Sequence, residues 1–312
     1  VRDNVYLGVA GACAEQEANA TDNSFTLSAL TAAPTIVDTG ETYATELLLS
    51  PTQSILALDG GSGSDERMEA YDYTAGDASL PTSPWSSTDS LTASLINPRA
   101  LCWGNSGQYL YQGHQYTGRQ LVRRTLTTNY DLGAATFSKS NTSHPTGIQG
   151  VAFKPDGLTF FLLGADVKIY TCTTTTAWDV STYSHSSTSI ASDTDNDGDT
   201  LFSVTGIRFN PDGTRMFISY RPDYTQDPDT TPAGRSKICQ YNLSTAWDVS
   251  SRGSPVATLD LHPHLGYTVA PPSAQAALVG GFDWSEDGSE LLVCSLHPDQ
   301  SSGEFRVLRY SL

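Results

Sequence analysis

Four aspartates alternate in the segment Asp193-Thr194-Asp195-Asn196-Asp197-Gly198-Asp199. Alternation of this kind lets carboxylates converge on a hard cation while the glycine takes a sharp turn, as in the opening of a calcium loop. Asp193, Asp195, Asp197 and Asp199 are therefore candidate ligands for a structural calcium ion, the one cofactor the residues suggest. The twelfth position, where a bidentate Glu would complete an EF-hand, is Val204. A solvated acidic turn accounts for the same run of residues.

Other chemistry finds less support. There is no G-x-S-x-G elbow, and Ser285-Glu286-Asp287-Gly288 does not match the sialidase box S-x-D-x-G-x-[ST]-W. Paired carboxylates that meet from distant segments have no sequence spacing to recognise, and with 25 Asp in the chain such pairs cannot be picked out by eye. Of the six histidines, His114, His144, His262, His264 and His297 fall in expected loops, and none has a carboxylate or cysteine at a ligand spacing. Cys13, Cys102, Cys172, Cys239 and Cys294 are odd in number and form no C-x-x-C pair. Four of them sit in apolar strand patterns and read as small buried hydrophobes. No residue is assigned a catalytic role.

The elements that must position these residues show themselves as repeats. Gly150-Val-Ala-Phe-Lys-Pro-Asp-Gly157 and Gly206-Ile-Arg-Phe-Asn-Pro-Asp-Gly213 lead into the apolar runs Phe160–Leu163 and Met216–Ser219. Weaker copies stand at Gly281–Gly288, Leu101–Gly107 and Leu47–Gln53. Proline presets φ for a turn and glycine accepts φ > 0, so each copy predicts a tight antiparallel hairpin of strands A and B. A third strand C follows, as in Ile238–Leu243, Val307–Leu312, Met68–Tyr73 and Leu121–Leu126. Next come Leu243-Ser-Thr-Ala-Trp-Asp-Val249, Thr174-Thr-Thr-Ala-Trp-Asp-Val180 and Leu126-Thr-Thr-Asn-Tyr-Asp-Leu132, leading into a short polar strand D. The recurring Trp-Asp pairs read as scaffold, with the ring covering a blade edge and the carboxylate capping backbone N–H groups.

Four antiparallel strands recurring about every 50 residues, each set too small to bury a core alone, predict a β-propeller. The expected fold is all-β, a single domain over 1–312 with six four-stranded blades, five or seven being the neighbouring counts. Val5–Ala10, Phe25–Leu30 and Pro34–Asp38 resemble strands B, C and D without an A, and the last repeat ends after strand C at Leu312. Ring closure is thus expected to combine residues 1–40 with 279–312.

Composition narrows the partners. Seventeen basic against 34 acidic residues give a net charge of −17, which disfavours nucleic acid. The acids divide into 25 Asp and 9 Glu, and Asp favours turns over helix surfaces. No apolar run approaches the roughly 18 residues of a membrane span. The chain opens Val1-Arg2-Asp3 without Met or a basic-then-apolar leader, so it reads as processed or truncated at its N-terminus, any export signal already gone.

The F-[NK]-P-D-G-[TL] turn followed by L-S-T-A-W-D-V-S resembles a propeller repeat of marine bacteriophage and bacterial secreted proteins, and more distantly WD-repeat and NHL-type propellers. The resemblance is sharpest over 147–253 and implies a binding or building module of an extracellular or virion-surface assembly, with protein partners and surface glycans as its contacts. In a propeller the B-to-C and D-to-A loops share one face, and the longest loops here, 11–24, 59–66, 221–234 and 262–277, are of those kinds. That face is the expected contact surface, with Tyr224, Tyr267 and His297 as contact candidates because loop aromatics supply contact area. The alternative is a secreted glycosidase-like or lactonase-like propeller with an Asp-rich, calcium-assisted funnel, which requires a carboxylate cluster at the axis.

Overall fold

The computed structural model describes residues 25–30, 34–38, 46–50, 54–58, 67–72, 86–89, 98–114, 120–141, 144, 146–191, 193–195, 198, 203–220, 236–261, 279–296 and 305–312. Among these residues the regular structure is strand, with three-residue 3-10 turns at Leu27–Ala29, Leu132–Ala134 and Val249–Ser251. Twenty strands form five four-stranded antiparallel sheets.

Blade 1 is β2 (Glu46–Leu49), β3 (Ser54–Leu58), β4 (Arg67–Asp72) and β5 (Ser86–Asp89). Blade 2 is β6 (Pro98–Gly104), β7 (Tyr109–His114), β8 (Leu121–Leu126) and β9 (Ala135–Asn141). Blade 3 is β10 (Ile148–Phe153), β11 (Thr159–Gly164), β12 (Lys168–Thr173) and β13 (Ser184–Ser189), and blade 4 is β14 (Val204–Phe209), β15 (Arg215–Tyr220), β16 (Lys237–Asn242) and β17 (Ala257–Asp260). Blade 5 takes β18 (Val279–Trp284), β19 (Glu290–Leu296) and β20 (Phe305–Ser311) from the C-terminal end, and its outermost strand, β1 (Thr35–Asp38), from the N-terminal end. The inner strands touch in the cycle β2, β6, β10, β14, β18 and back to β2, which closes the ring. The described residues form a β-propeller of five blades, not the expected six: Phe25–Leu30 is a turn with a 3-10 segment rather than a strand, and of the described N-terminal residues β1 alone joins a blade, blade 5. Val5–Ala10 lies outside the described residues.

Neighbouring blades bury two-sided apolar faces against each other. Ala152, Phe161 and Leu163 of blade 3 meet Ile207, Met216 and Ile218 of blade 4, and Cys102 and Tyr111 of blade 2 meet Val151, Phe153 and Phe160 of blade 3. Cys172 and Cys239 are buried thiols in these cores and Cys294 is buried on β19, as expected, whereas Cys102, also expected as a small buried hydrophobe, is disulfide-bonded. Burial pushes the Cys239 thiol up to about 12, which removes thiolate reactivity at ordinary pH.

The recurring turn has one construction in four blades. Gly107, Gly157, Gly213 and Gly288 end the A-to-B turn with φ between +69° and +77° or, at Gly157, +65°. Onto each glycine folds an aromatic residue that itself has positive φ: Tyr130, Trp178, Trp247 and Phe25. The aromatic N–H donates to the carbonyl of its glycine, Trp178 to Gly157 and Trp247 to Gly213 at 2.8 Å, Tyr130 to Gly107 at 3.0 Å and Phe25 to Gly288 at 3.2 Å. In three blades the next residue, Asp131, Asp179 or Asp248, accepts from the backbone N–H two residues on, which is the capping role expected of the Trp-Asp pairs.

A β-carbon on Gly213 would stand 2.2 Å from the Trp247 ring, at a φ of +71°. Gly213→Ala therefore combines overpacking with a disfavoured backbone and is expected to cost about 3 kcal/mol. Gly253→Ala, where a β-carbon meets nothing within 4 Å, should be close to neutral, and thermal unfolding of the two variants checks both expectations.

Phe25 explains the closure. Leu312 N–H donates to Ser289 O at 2.9 Å, as Leu243 does to Thr214 and Leu126 to Gln108. In the other blades the aromatic follows four residues later; in blade 5 the N-terminal segment supplies Phe25 and then β1. Arg215 Nη1 donates to Thr26 Oγ1 at 2.8 Å and to Phe25 O at 3.3 Å, while Leu27 N–H donates to Gln240 Oε1 at 3.0 Å. The closing segment is thus fastened to blade 4 as well as to blade 5.

Candidate functional site

The centre of the ring is where the five inner strands converge, and charged side chains meet there. Arg208 projects from β14. Its Nε donates to Asp283 Oδ1 on β18 at 3.2 Å and its Nη2 to Glu46 Oε1 on β2 at 3.4 Å. The same guanidinium donates to the carbonyls of Leu47, Ile207 and Val151, the last on β10. Asp283 Oδ2 accepts from Leu49 N–H at 3.0 Å, and Glu46 accepts from the N–H of Leu47 and, on β6, of Leu101. These three side chains join all five inner strands.

Local sequence makes room for them. Gly281 lies against Glu46, and a β-carbon there would fall 1.5 Å from Oε1. In the aligned repeats, Glu46 stands where the other blades carry Ala100, Gly150, Gly206 and Gly281, while Arg208 and Asp283 stand where the others carry Leu48, Cys102 and Ala152. Three charges in register positions that are otherwise small or apolar are the signal by which the sequence could have shown this site.

Two carboxylates face one guanidinium, so the set carries one negative charge in excess if both are ionised. Burial, opposed by Arg208, raises the Glu46 carboxyl to about 8, and burial likewise raises Asp283. Glu46 is fully buried, and its Oε2 finds no partner. It therefore holds its proton at neutral pH. Because its folded-state value lies above its unfolded value of 4.5, the folded chain binds more protons between pH 4.5 and about 8. Its contribution to stability is fully present below pH 4.5 and lost as pH rises toward 8, at up to about 1.4 kcal/mol per pH unit. Glu46→Gln should flatten this slope in denaturant titrations run across that pH range.

Of the four aspartates expected to hold calcium, Asp193 and Asp195 lie among the described residues. Asp193 accepts from Arg252 Nη2 at 3.0 Å and Nε at 3.2 Å, and Asp195 pairs with the buried ammonium of Lys237. Arg252 and Lys237 both belong to blade 4, so these two aspartates fasten the segment between blades 3 and 4. Asp197 and Asp199 lie outside the described residues, as do Tyr224, Tyr267, His297, His262 and His264. His114, the last residue of β7, and His144, between β9 and β10, both expected on solvated loops, are buried. His144 Nδ1 lies 2.8 Å from Thr146 O, and its ring packs edge-on against Tyr170.

The links 221–236 and 261–278, read in the sequence as long B-to-C and D-to-A loops, lie almost wholly outside the described residues, while the A-to-B turns are tight. Among the described residues no helix is long and apolar enough to cross a membrane.

No protein-family model and no curated protein matches the chain in sequence. Solved structures with similar architecture include the Cps50 (Swd1) β-propeller domain of Myceliophteria thermophila, at 9% identity and a TM-score of 0.47, covering 87% of this chain and 97% of that one. A candidate 6-phosphogluconolactonase from Bacteroides uniformis aligns at 11% identity and a TM-score of 0.41, over 87% of this chain and 71% of that one. Sqt1 of Chaetomium thermophilum, in a structure bound to the N-terminus of ribosomal protein L10, aligns at 14% identity and a TM-score of 0.41, over 86% of this chain. This chain spans 58% of that Sqt1 chain. At such identities the likeness concerns the propeller architecture and carries no site residue across.

Proposed function

We propose that this propeller is a non-enzymatic structural or adhesive module of an extracellular or virion-surface assembly, binding neighbouring proteins or surface glycans through the face that carries its long connections. The observation that supports this reading is the sealed axis. The carboxylate cluster that a propeller hydrolase needs is present at Glu46 and Asp283, but both groups are committed to Arg208 and to backbone N–H donors, and Glu46 has no exposed surface. The features that recur blade after blade are structural, and variation is concentrated in the loops, where binding residues belong. A calcium ion at the Asp193–Asp199 loop would have to displace Arg252 and Lys237 from Asp193 and Asp195.

The hydrolase reading rests on one fact, a protonated Glu46 near the ionisable Asp283, which is the acid-and-carboxylate pairing of glycosidases. The test separates the two. Replacing 222–233 with a short Gly-Ser link is expected to abolish incorporation into the assembly the chain is purified from while leaving the unfolding midpoint unchanged. Turnover of glycoside or lactone substrates that disappears in Glu46→Gln would overturn the binding reading.

A further inference from the structure

Three cations are buried among the described residues: Arg124, Arg208 and Lys237. Arg208 and Lys237 each meet an acid, Lys237 meeting Asp195. Arg124 does not. It lies on β8 between Val122 and Leu126, on the face whose core of Leu101, Trp103 and Leu110 turns toward Leu48 of blade 1. Its Nε donates to Gln112 Oε1 at 2.8 Å, and no carboxylate among the described residues joins it. Gln112 is itself fully buried, and its Nε2 donor has no partner.

A buried guanidinium without a counter-charge and a buried amide donor without an acceptor are both costly, and folded proteins rarely leave either unmet. Here the two lie together, and Gln112 is turned so that its oxygen meets Arg124 while its N–H₂ remains free. We propose that Arg124 and Gln112 form a binding site for an oxyanion, a carboxylate or phosphate group, at the junction of blades 1 and 2. The outer guanidinium nitrogens present a planar fork that matches either group, and the Gln112 amide adds a third donor. Desolvation alone lowers the Arg124 group to about 10, with no opposing charge, which is the electrostatic state an arriving anion would relieve. The net charge of −17 opposes anions at long range, so recognition depends on contact with this desolvated cation and should be modest in affinity.

Thermal unfolding of the intact chain in sodium acetate and in sodium phosphate, each against sodium chloride at matched ionic strength, tests this. The wild-type midpoint is expected to rise saturably by about 2–4 °C with at least one oxyanion. An acetate response marks a carboxylate ligand and a phosphate-only response a phosphate. Arg124→Met should lose the response while being at least as stable as wild type in chloride, because it no longer buries an unpaired charge. Gln112→Leu should weaken the response. If Arg124→Met fails to fold, Arg124→Lys serves in its place and should show a reduced response. Equal midpoints in chloride and both oxyanions, or an undiminished rise in Arg124→Met, would overturn the proposal.

Discussion

Replacing Arg208 with methionine is expected to be among the most damaging single changes in this protein. The substitution leaves Glu46 and Asp283 facing each other inside the ring with no cation between them, and it strips donors from the carbonyls of Leu47 and Val151. Breaking a buried ion pair from one side typically costs about 3–5 kcal/mol, because the remaining charge stays buried and uncompensated. The loss should be largest near pH 8, where both acids are pressed to ionise, and smaller near pH 5, where Glu46 is protonated in any case. Adding Glu46→Gln to Arg208→Met should recover part of the loss at pH 8. Denaturant titrations at the two pH values measure all of this; a stability independent of Arg208 would mean that the axis is hydrated and open.

The second large effect concerns closure. Phe25 and Leu27 are buried in the core shared by blades 4 and 5, with Phe217, Trp284 and Tyr310, and the Phe25 ring lies 5.6 Å from that of Trp284. Phe25→Ala is expected to cost about 3 kcal/mol through the cavity it opens. Removal of residues 1–38 should do far more, because it also deletes β1 and exposes the β20 ladder from Arg306 to Arg309. The unpaired edge invites association, so the truncated chain is expected to lose cooperative unfolding and to aggregate. A peptide of residues 22–38 supplied in trans should bind the truncated chain and restore the transition. Circular dichroism melts with and without the peptide decide the matter, and a truncated chain that melts like wild type would show that the ring is closed by other means.

Much of this architecture is legible in the sequence because the hairpin chemistry is local. Pro-Asp-Gly turns and the Trp-Asp turn each encode their own geometry, and they mark the hairpin and the C-to-D turn of blades 3 and 4. The blade count is less accessible. Spacing averages the loops into the period, and long connections such as 221–236 and 261–278 lengthen the chain without adding a blade. Phe25 was hidden for a related reason: it performs the task of Trp247 without the flanking Leu-Ser-Thr-Ala, which in blade 5 is divided between the two ends of the chain. The axial triad has no local motif, since Glu46, Arg208 and Asp283 come from three blades. It can be read only after the repeats are aligned, as charges in positions where the other blades keep small or apolar residues. The aspartates at 193 and 195 stand at a metal-like spacing, and their pairing with Arg252 and Lys237 of the next blade has no local sequence signal.

The most direct test is an experimental density map of the chain within the proposed assembly, read at the axis and at the long-loop face. The account predicts five blades around an Arg208 side chain that contacts Glu46 and Asp283, with neighbouring molecules seated on the face that carries 221–236 and 261–278. A solvent-filled funnel at the axis, with the two carboxylates turned into it and the loop face bare, would contradict it.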